Sequence, residues 1–137
     1  MILSLLILYD IGGFMIEIYN NGNIKISIDS TFSIDEYVNF ILKIKSYKFY
    51  GEHNFCISKT NLTNAIKQLQ ELYNCMEGNV TLCDYDSESF ISFEFNNNHA
   101  YIYGQLGSDL ENNLWRFKQE VDQTIIMLLV VNLNKLI

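Results

Sequence analysis

Residues 78–123 read GNVTLCDYDSESFISFEFNNNHAYIYGQLGSDLENNLWRFKQEVDQ, and this stretch decides the fold. Four runs within it alternate apolar and polar side chains, the period of a half-buried strand. They are 79–84, 88–95, 99–105 and 113–121. Ile91, Phe93 and Phe95 share one face of the second run, with Glu88, Phe90, Ser92 and Glu94 opposite. Tyr101 and Tyr103 alternate with Ala100 and Ile102 in the third. Trp115, Phe117 and Val121 alternate with Arg116, Lys118 and Glu120 in the fourth. Asn96-Asn97-Asn98 supplies residues that tolerate left-handed geometry at a turn. Gly104 and Gly107 flank a loop that runs to Asn112. The expectation is an antiparallel meander of four strands.

Working outward, residues 61–75 carry Leu62, Ala65, Ile66, Leu69, Leu72, Tyr73 and Met76 at helical spacing. Asn64, Lys67, Gln68 and Glu71 lie on the other side, and Gly78 is the expected stop. After the meander, Asp122 is a candidate N-cap. Residues 125–131 are seven apolar residues in a row, too few for a membrane span and suited to a helix packed on a sheet. Leu128, Leu129, Leu133 and Leu136 are its expected core face. Toward the N-terminus, Ile16 and Ile18 face Ile24, Ile26 and Ile28 across Asn21-Gly22, a hairpin signal. Residues 33–50 conflict with themselves. Ser33 to Glu36 has the form of a capping box, yet the residues after it alternate as a strand. A turn or helical piece at 33–37 followed by a strand over 38–49 reconciles the two, with Gly51 ending that strand and a brief strand at Phe55–Ser58.

The predicted fold is therefore α+β. An antiparallel sheet, made of an N-terminal hairpin and a C-terminal four-strand meander, is packed by a central helix near 61–75 and a C-terminal helix near 122–136. The 137 residues suit a single domain, 1–137. The segment MILSLLILYDIGG has no Lys or Arg, unlike a signal peptide. It reads as a possible N-terminal extension over 1–14, and Met15 is a second candidate start.

The net charge is −7. Residues 1–70 hold 6 acids and 6 Lys; residues 71–137 hold 10 acids against Arg116, Lys118 and Lys135, so the excess lies in the second half. An acidic chain makes few phosphate contacts, so nucleic acid is not an expected partner. A basic protein is. Cys56, Cys75 and Cys83 are odd in number and lack a C-x-x-C, which points to free thiols in a reducing, cytoplasmic setting.

Catalytic and metal motifs are sparse. Asp84-Tyr85-Asp86-Ser87-Glu88 begins like a calcium loop, but Ser89 stands where the loop needs Gly and Phe95 where it needs Glu. His53 and His99 have no partner at zinc spacing. A Cys56–His53 nucleophile pair lacks an orienting third group. Gly104-Gln105-Leu106-Gly107 lacks the Lys-Ser/Thr ending of a phosphate loop. No enzyme, cofactor or metal is expected. What stands out is a sheet face bearing Phe90, Tyr101 and Tyr103 among charges, a mixture common in interfaces. Ordinary cross-strand pairing on a solvated sheet is the plainer reading.

The runs FYGEHNFCISKTNLTNAIKQLQEL, GNVTLCDYDSESFISFEF, AYIYGQLG and LWRFKQEVDQTIIMLL resemble the WapI-type immunity protein family of bacteria. The resemblance covers Phe49 to Leu136, with the 15–28 hairpin as the usual opening. It rests on Phe49 and Gly51, Ile57 and Ser58, the helix from Leu62, Gly104, and Asp122 before the last helix. Cys56 departs from the aromatic frequent at that place. The resemblance implies a small cytoplasmic α+β domain that binds the C-terminal effector domain of a cognate toxin, for instance a basic one such as a nuclease, and blocks it without catalysis. It carries over no catalytic residue. The candidate toxin-binding residues are Asp84, Asp86, Glu88, Glu94, Tyr101 and Tyr103. A self-associating or adaptor domain is the first alternative, and a small ligand-binding protein or enzyme with a pocket at His53 or Cys56 is the second.

Overall fold

A computed structural model describes residues 15–108 and 113–137. The expected extension over 1–14 and part of the loop after Ser108 lie outside the described residues. The fold is α+β, built from antiparallel sheets and two helices. The strands are β1 (Met15–Asn20), β2 (Ile24–Ile34), β3 (Tyr37–Ser46) and β4 (Phe49–Ser58), then helix α1 (Lys59–Cys75). They are followed by β5 (Gly78–Cys83), β6 (Phe90–Asn96), β7 (His99–Ser108), β8 (Asn113–Val121) and helix α2 (Ile125–Asn134). Each half forms its own four-stranded antiparallel meander, in the orders β1-β2-β3-β4 and β5-β6-β7-β8.

The second meander follows its sequence pattern, except that β7 runs on past 105 to Ser108, so Gly104 and Gly107 lie within a paired strand and do not flank a loop. The first is larger than the expected hairpin, and its sheet is separate from the second. The capping box at Ser33 is not used: β2 runs through it, and Asp35 takes the left-handed turn position with φ 54°. Gly51 does not end a strand. The turn falls at Tyr47, φ 55°, and Gly51 lies inside β4, opposite Ile44. Local capping propensity lost here to the burial of Val38, Phe40, Leu42 and Ile44, which needs an uninterrupted strand. Asn21-Gly22 does make the first turn. Gly22 supplies the positive φ of 88°, and Asn21 accepts the amides of Asn23 and Ile24 at 2.9 and 2.8 Å.

α1 starts earlier than the apolar pattern suggests because Ser58 caps it, accepting the Asn61 amide at 3.1 Å. Met76, in the left-handed conformation, closes it with a bond to Leu72 O, and Gly78 opens β5 instead. α2 is shorter than 122–136. Asp122 is not its N-cap; it accepts the Thr124 amide one turn before the helix. Leu129, Leu133 and Leu136 are buried as expected, but Leu128 is 40% exposed.

One hydrophobic core joins both sheets and both helices. Ile18, Ile26 and Phe40 of the first sheet meet Leu82, Ile91 and Phe93 of the second, with Leu129 of α2 completing the contact. Two glycines permit the close approaches. A Cβ on Gly51 would overlap the Trp115 ring, which covers β4 at that point. A Cβ on Gly104 would overlap the backbone carbonyl of Phe90 in the paired strand. No helix among the described residues is long and apolar enough to cross a membrane.

The Gly104 contact gives a prediction. Backbone cannot rotate aside as a side chain can, so Gly104→Ala should cost about 1–3 kcal/mol, in the range of overpacked cores. Gly22→Ala, at a turn with nothing within 4 Å of the added carbon, should cost less and act only through its positive φ. Urea unfolding of both variants checks the order.

Candidate interaction surface

The strand register assembles the outer face of the second sheet. Glu94 pairs with Tyr101, and Ser92 with Tyr103, across β6 and β7. Tyr101 pairs with Glu120, Tyr103 with Lys118, and Gln105 with Arg116, across β7 and β8. Because side chains alternate along a strand, all of these point away from the core. The Phe90 ring meets Tyr103 edge-on at 6.4 Å, and the Tyr103 hydroxyl accepts from Asn79 on β5. Lys118 Nζ lies 5.1 Å from the Tyr101 ring centre and 5.9 Å from that of Tyr103, within cation–π range of both. His99 Nδ1 and a Glu120 carboxylate oxygen close one end of the face at 2.6 Å.

The expected site residues divide into three groups. Glu94, Tyr101 and Tyr103 come together on this face, half-buried by their neighbours. Asp86 and Glu88 are exposed in the turn between β5 and β6. Asp84 is a different kind of residue. It is only 6% exposed, and it holds the turn in place. One carboxylate oxygen accepts the Cys56 amide at 2.8 Å, and the other accepts the Ser87 hydroxyl at 2.6 Å. The Tyr85 amide returns a bond to the Cys56 carbonyl at 2.8 Å, so the turn closes the end of β4 like a short extra strand. Its placement as a partner-contacting residue is therefore corrected: spacing and charge matched a surface loop, but the amide it bonds lies 28 residues away, which no local pattern reveals. Lys118 was missed as a site residue because a lone Lys on a strand carries no signal until the register sets it over two rings.

Beside this joint, Asn39, Ile41, His53, Asn54, Cys56 and Asp86 line a groove of about 410 Å³. His53 Nδ1 contacts the Asn54 carbonyl at 2.8 Å and lies 4.0 Å from Asp84. Burial, and then the charges of Asp86 and Asp84, push the Cys56 thiol upward. A nucleophilic cysteine needs the opposite shift. Among the described residues, no group of His, Cys, Asp and Glu is arranged to hold a metal.

The geometry defines a two-sheet domain that offers a flat aromatic and charged surface. No family model and no curated protein matches the sequence. Among solved structures, the chain is similar in fold to WHY3 from Arabidopsis thaliana, with a TM-score of 0.53 and 11% identity over 89% of this chain and 85% of that one. It is also similar to WHY1 from the same plant, with a TM-score of 0.49 and 10% identity over 90% and 81%. At this identity the likeness shows the fold; set against it, the expectation that nucleic acid is no partner is withdrawn. That expectation rested on net charge, which is summed over the whole chain. It does not describe the local surface, where Lys118 is the register partner of Tyr103 and Arg116 that of Gln105.

Asp84→Ala should lower stability by about 1–3 kcal/mol, because it leaves the part-buried Cys56 amide without its acceptor. Asp86→Ala and Glu88→Ala, both exposed, should shift it by no more than about 0.5 kcal/mol. Chemical denaturation of the three variants measures the contrast.

Proposed function

We propose that this chain is a cytoplasmic immunity protein that neutralises a toxin effector domain by contact across the outer face of the second sheet, with no chemistry of its own. The observation that carries the binding surface is the pair Tyr101–Tyr103 with Lys118 lying over both rings. Rigid aromatics fixed by their neighbours lose little entropy on binding, which is why such residues dominate interface energetics. The choice of a toxin as partner rests on the resemblance of Phe49–Leu136 to the WapI-type family. The exposed acids Asp86 and Glu88, in the turn before β6, support it, since local negative charge speeds encounter with a basic effector.

A second reading has one specific observation behind it. The same tyrosines, with Phe90 and a cation beside them, form a platform on which unpaired bases could stack, an arrangement worth about 1–3 kcal/mol per base. The fold shared with WHY3 is compatible with that use.

The two readings separate in one titration. The double variant Tyr101→Ala/Tyr103→Ala should weaken binding of the effector domain encoded beside this gene by about 30-fold or more, the loss of roughly 2 kcal/mol expected at an aromatic hot spot. Asp86→Asn/Glu88→Gln should mainly slow association and flatten its salt dependence. An effector domain bound equally by wild type and double variant would remove this surface. Tight binding of an oligothymidylate, lost in the same double variant, with no binding of the effector domain, would favour the second reading.

A further inference from the structure

Among the described residues the two sheets present four edge strands, and three are blunted. β1 is 6 residues long and carries a bulge between Glu17 and Tyr19. β5 is also 6 residues long and packs beside α1. β8 places Arg116, Lys118 and Glu120 at alternate positions. Short length, bulges, cover and charge are the ordinary devices that keep a sheet edge from pairing with another chain. β4 differs. It is 10 residues long, in unbroken register with β3, and contains no Pro or Lys.

The direction of its free backbone groups follows from one bond pair. Cys56 turns its amide and carbonyl away from β3, toward Asp84 and Tyr85. Groups alternate along an antiparallel strand, so those of Tyr50, Glu52 and Asn54 also point outward. The Asn54 carbonyl meets His53 Nδ1. Among the described residues, nothing pairs with the outward amides and carbonyls of Tyr50 and Glu52. A groove of about 310 Å³ runs beside them, with Leu106 and Trp115 on its far side.

Charge decides what fits there. On the outer face of the first sheet, Lys43 Nζ bonds Asp29 at 3.0 Å, and Lys43 is the register partner of Glu52. Lys43 thus lies between two acids, Asp29 diagonally across on β2, where Ser27 is its register partner, and Glu52 directly beside it at the edge. A second copy of β4, paired antiparallel about Glu52, would set Glu52 against its own equivalent, and like charges directly opposite are destabilising. A strand with a cation at that position would continue the alternation.

We infer that the β4 edge is a docking site for an extended segment of a protein partner, added as a fifth strand, with a Lys or Arg opposite Glu52 and an apolar side chain against Trp115. The turn at Asp84–Tyr85 sets where that strand must end. This surface belongs to the other sheet from the tyrosine platform, so the two proposals fail separately.

Hydrogen exchange on the free, full-length protein is the first test. The amides of Tyr50 and Glu52 should exchange far faster than that of His53, which points toward β3; equal protection would mean the edge is already covered and overturns the inference. The second test titrates a labelled peptide, Thr-Val-Lys-Val-Lys-Val-Thr, and its counterpart with Glu for Lys. The basic peptide should shift the Tyr50, Glu52 and Asn54 amide signals and bind about 10-fold or more tighter than the acidic one, and Glu52→Lys should reverse that order. Glu52→Gln, which keeps the shape, should reduce the preference without reversing it. No binding of the basic peptide, equal binding of both, or shifts confined to the tyrosine face would overturn the inference, as would sedimentation showing a dimer that Glu52→Lys abolishes.

Discussion

The hydrogen bonds of the Asp84 carboxylate pin the two halves of this molecule together at one edge. Each half is a meander that folds mainly on local contacts, since all its strand neighbours are also neighbours in sequence. Local pairing alone does not define how one sheet meets the other. The bond from the Cys56 amide to Asp84 and the return bond from Tyr85 to Cys56 fix the turn before β6 to the end of β4. Trp115 over Gly51 makes a second contact between the same two halves. A buried carboxylate is costly unless its lone pairs are used, and here both oxygens accept bonds.

Fixing the sheets in this way turns their inner faces toward a common core, and none of the described elements packs across the outer face of the second sheet. The outer face of the second sheet has its tyrosines held from below by β-ladder spacing and from the side by Lys118. The outer face of the first carries a charge row that ends at β4. Both are rigid, because each is built on regular strands, and rigid surfaces lose less entropy when a partner docks. Net charge is a poor guide to either. Asp86 and Glu88 sit in a turn, and the tyrosine face itself sets Glu94 and Glu120 against Arg116 and Lys118.

Sequence reading succeeded where one period dominated and failed where two signals competed. The second meander was legible because Ile91, Phe93 and Phe95 alternate without interruption and the three Asn residues mark the turn. α1 was legible for the same reason. The region 33–50 was misread because Ser33–Glu36 looks like a helix start in isolation, whereas the tertiary core needed Val38 through Ile44 as strand. Gly51 was misread as a terminator, since the ring that demands its missing side chain is 64 positions away in the chain. Leu128 was placed in the core because an all-apolar helix gives no contrast between faces.

By itself, the sequence determined the fold class, the strand meander, the central helix and the aromatic face with its alternating charges. These follow from side-chain period, which is a property of neighbours along the chain. Only the tertiary structure decided that there are two sheets, that Asp84 is a buried fastener and not a contact residue, that Lys118 belongs with the tyrosines, and that, among the described residues, β4 is a long edge strand in unbroken register with β3. Those depend on which distant groups satisfy one another's hydrogen bonds and fill one another's space, and no local pattern records that.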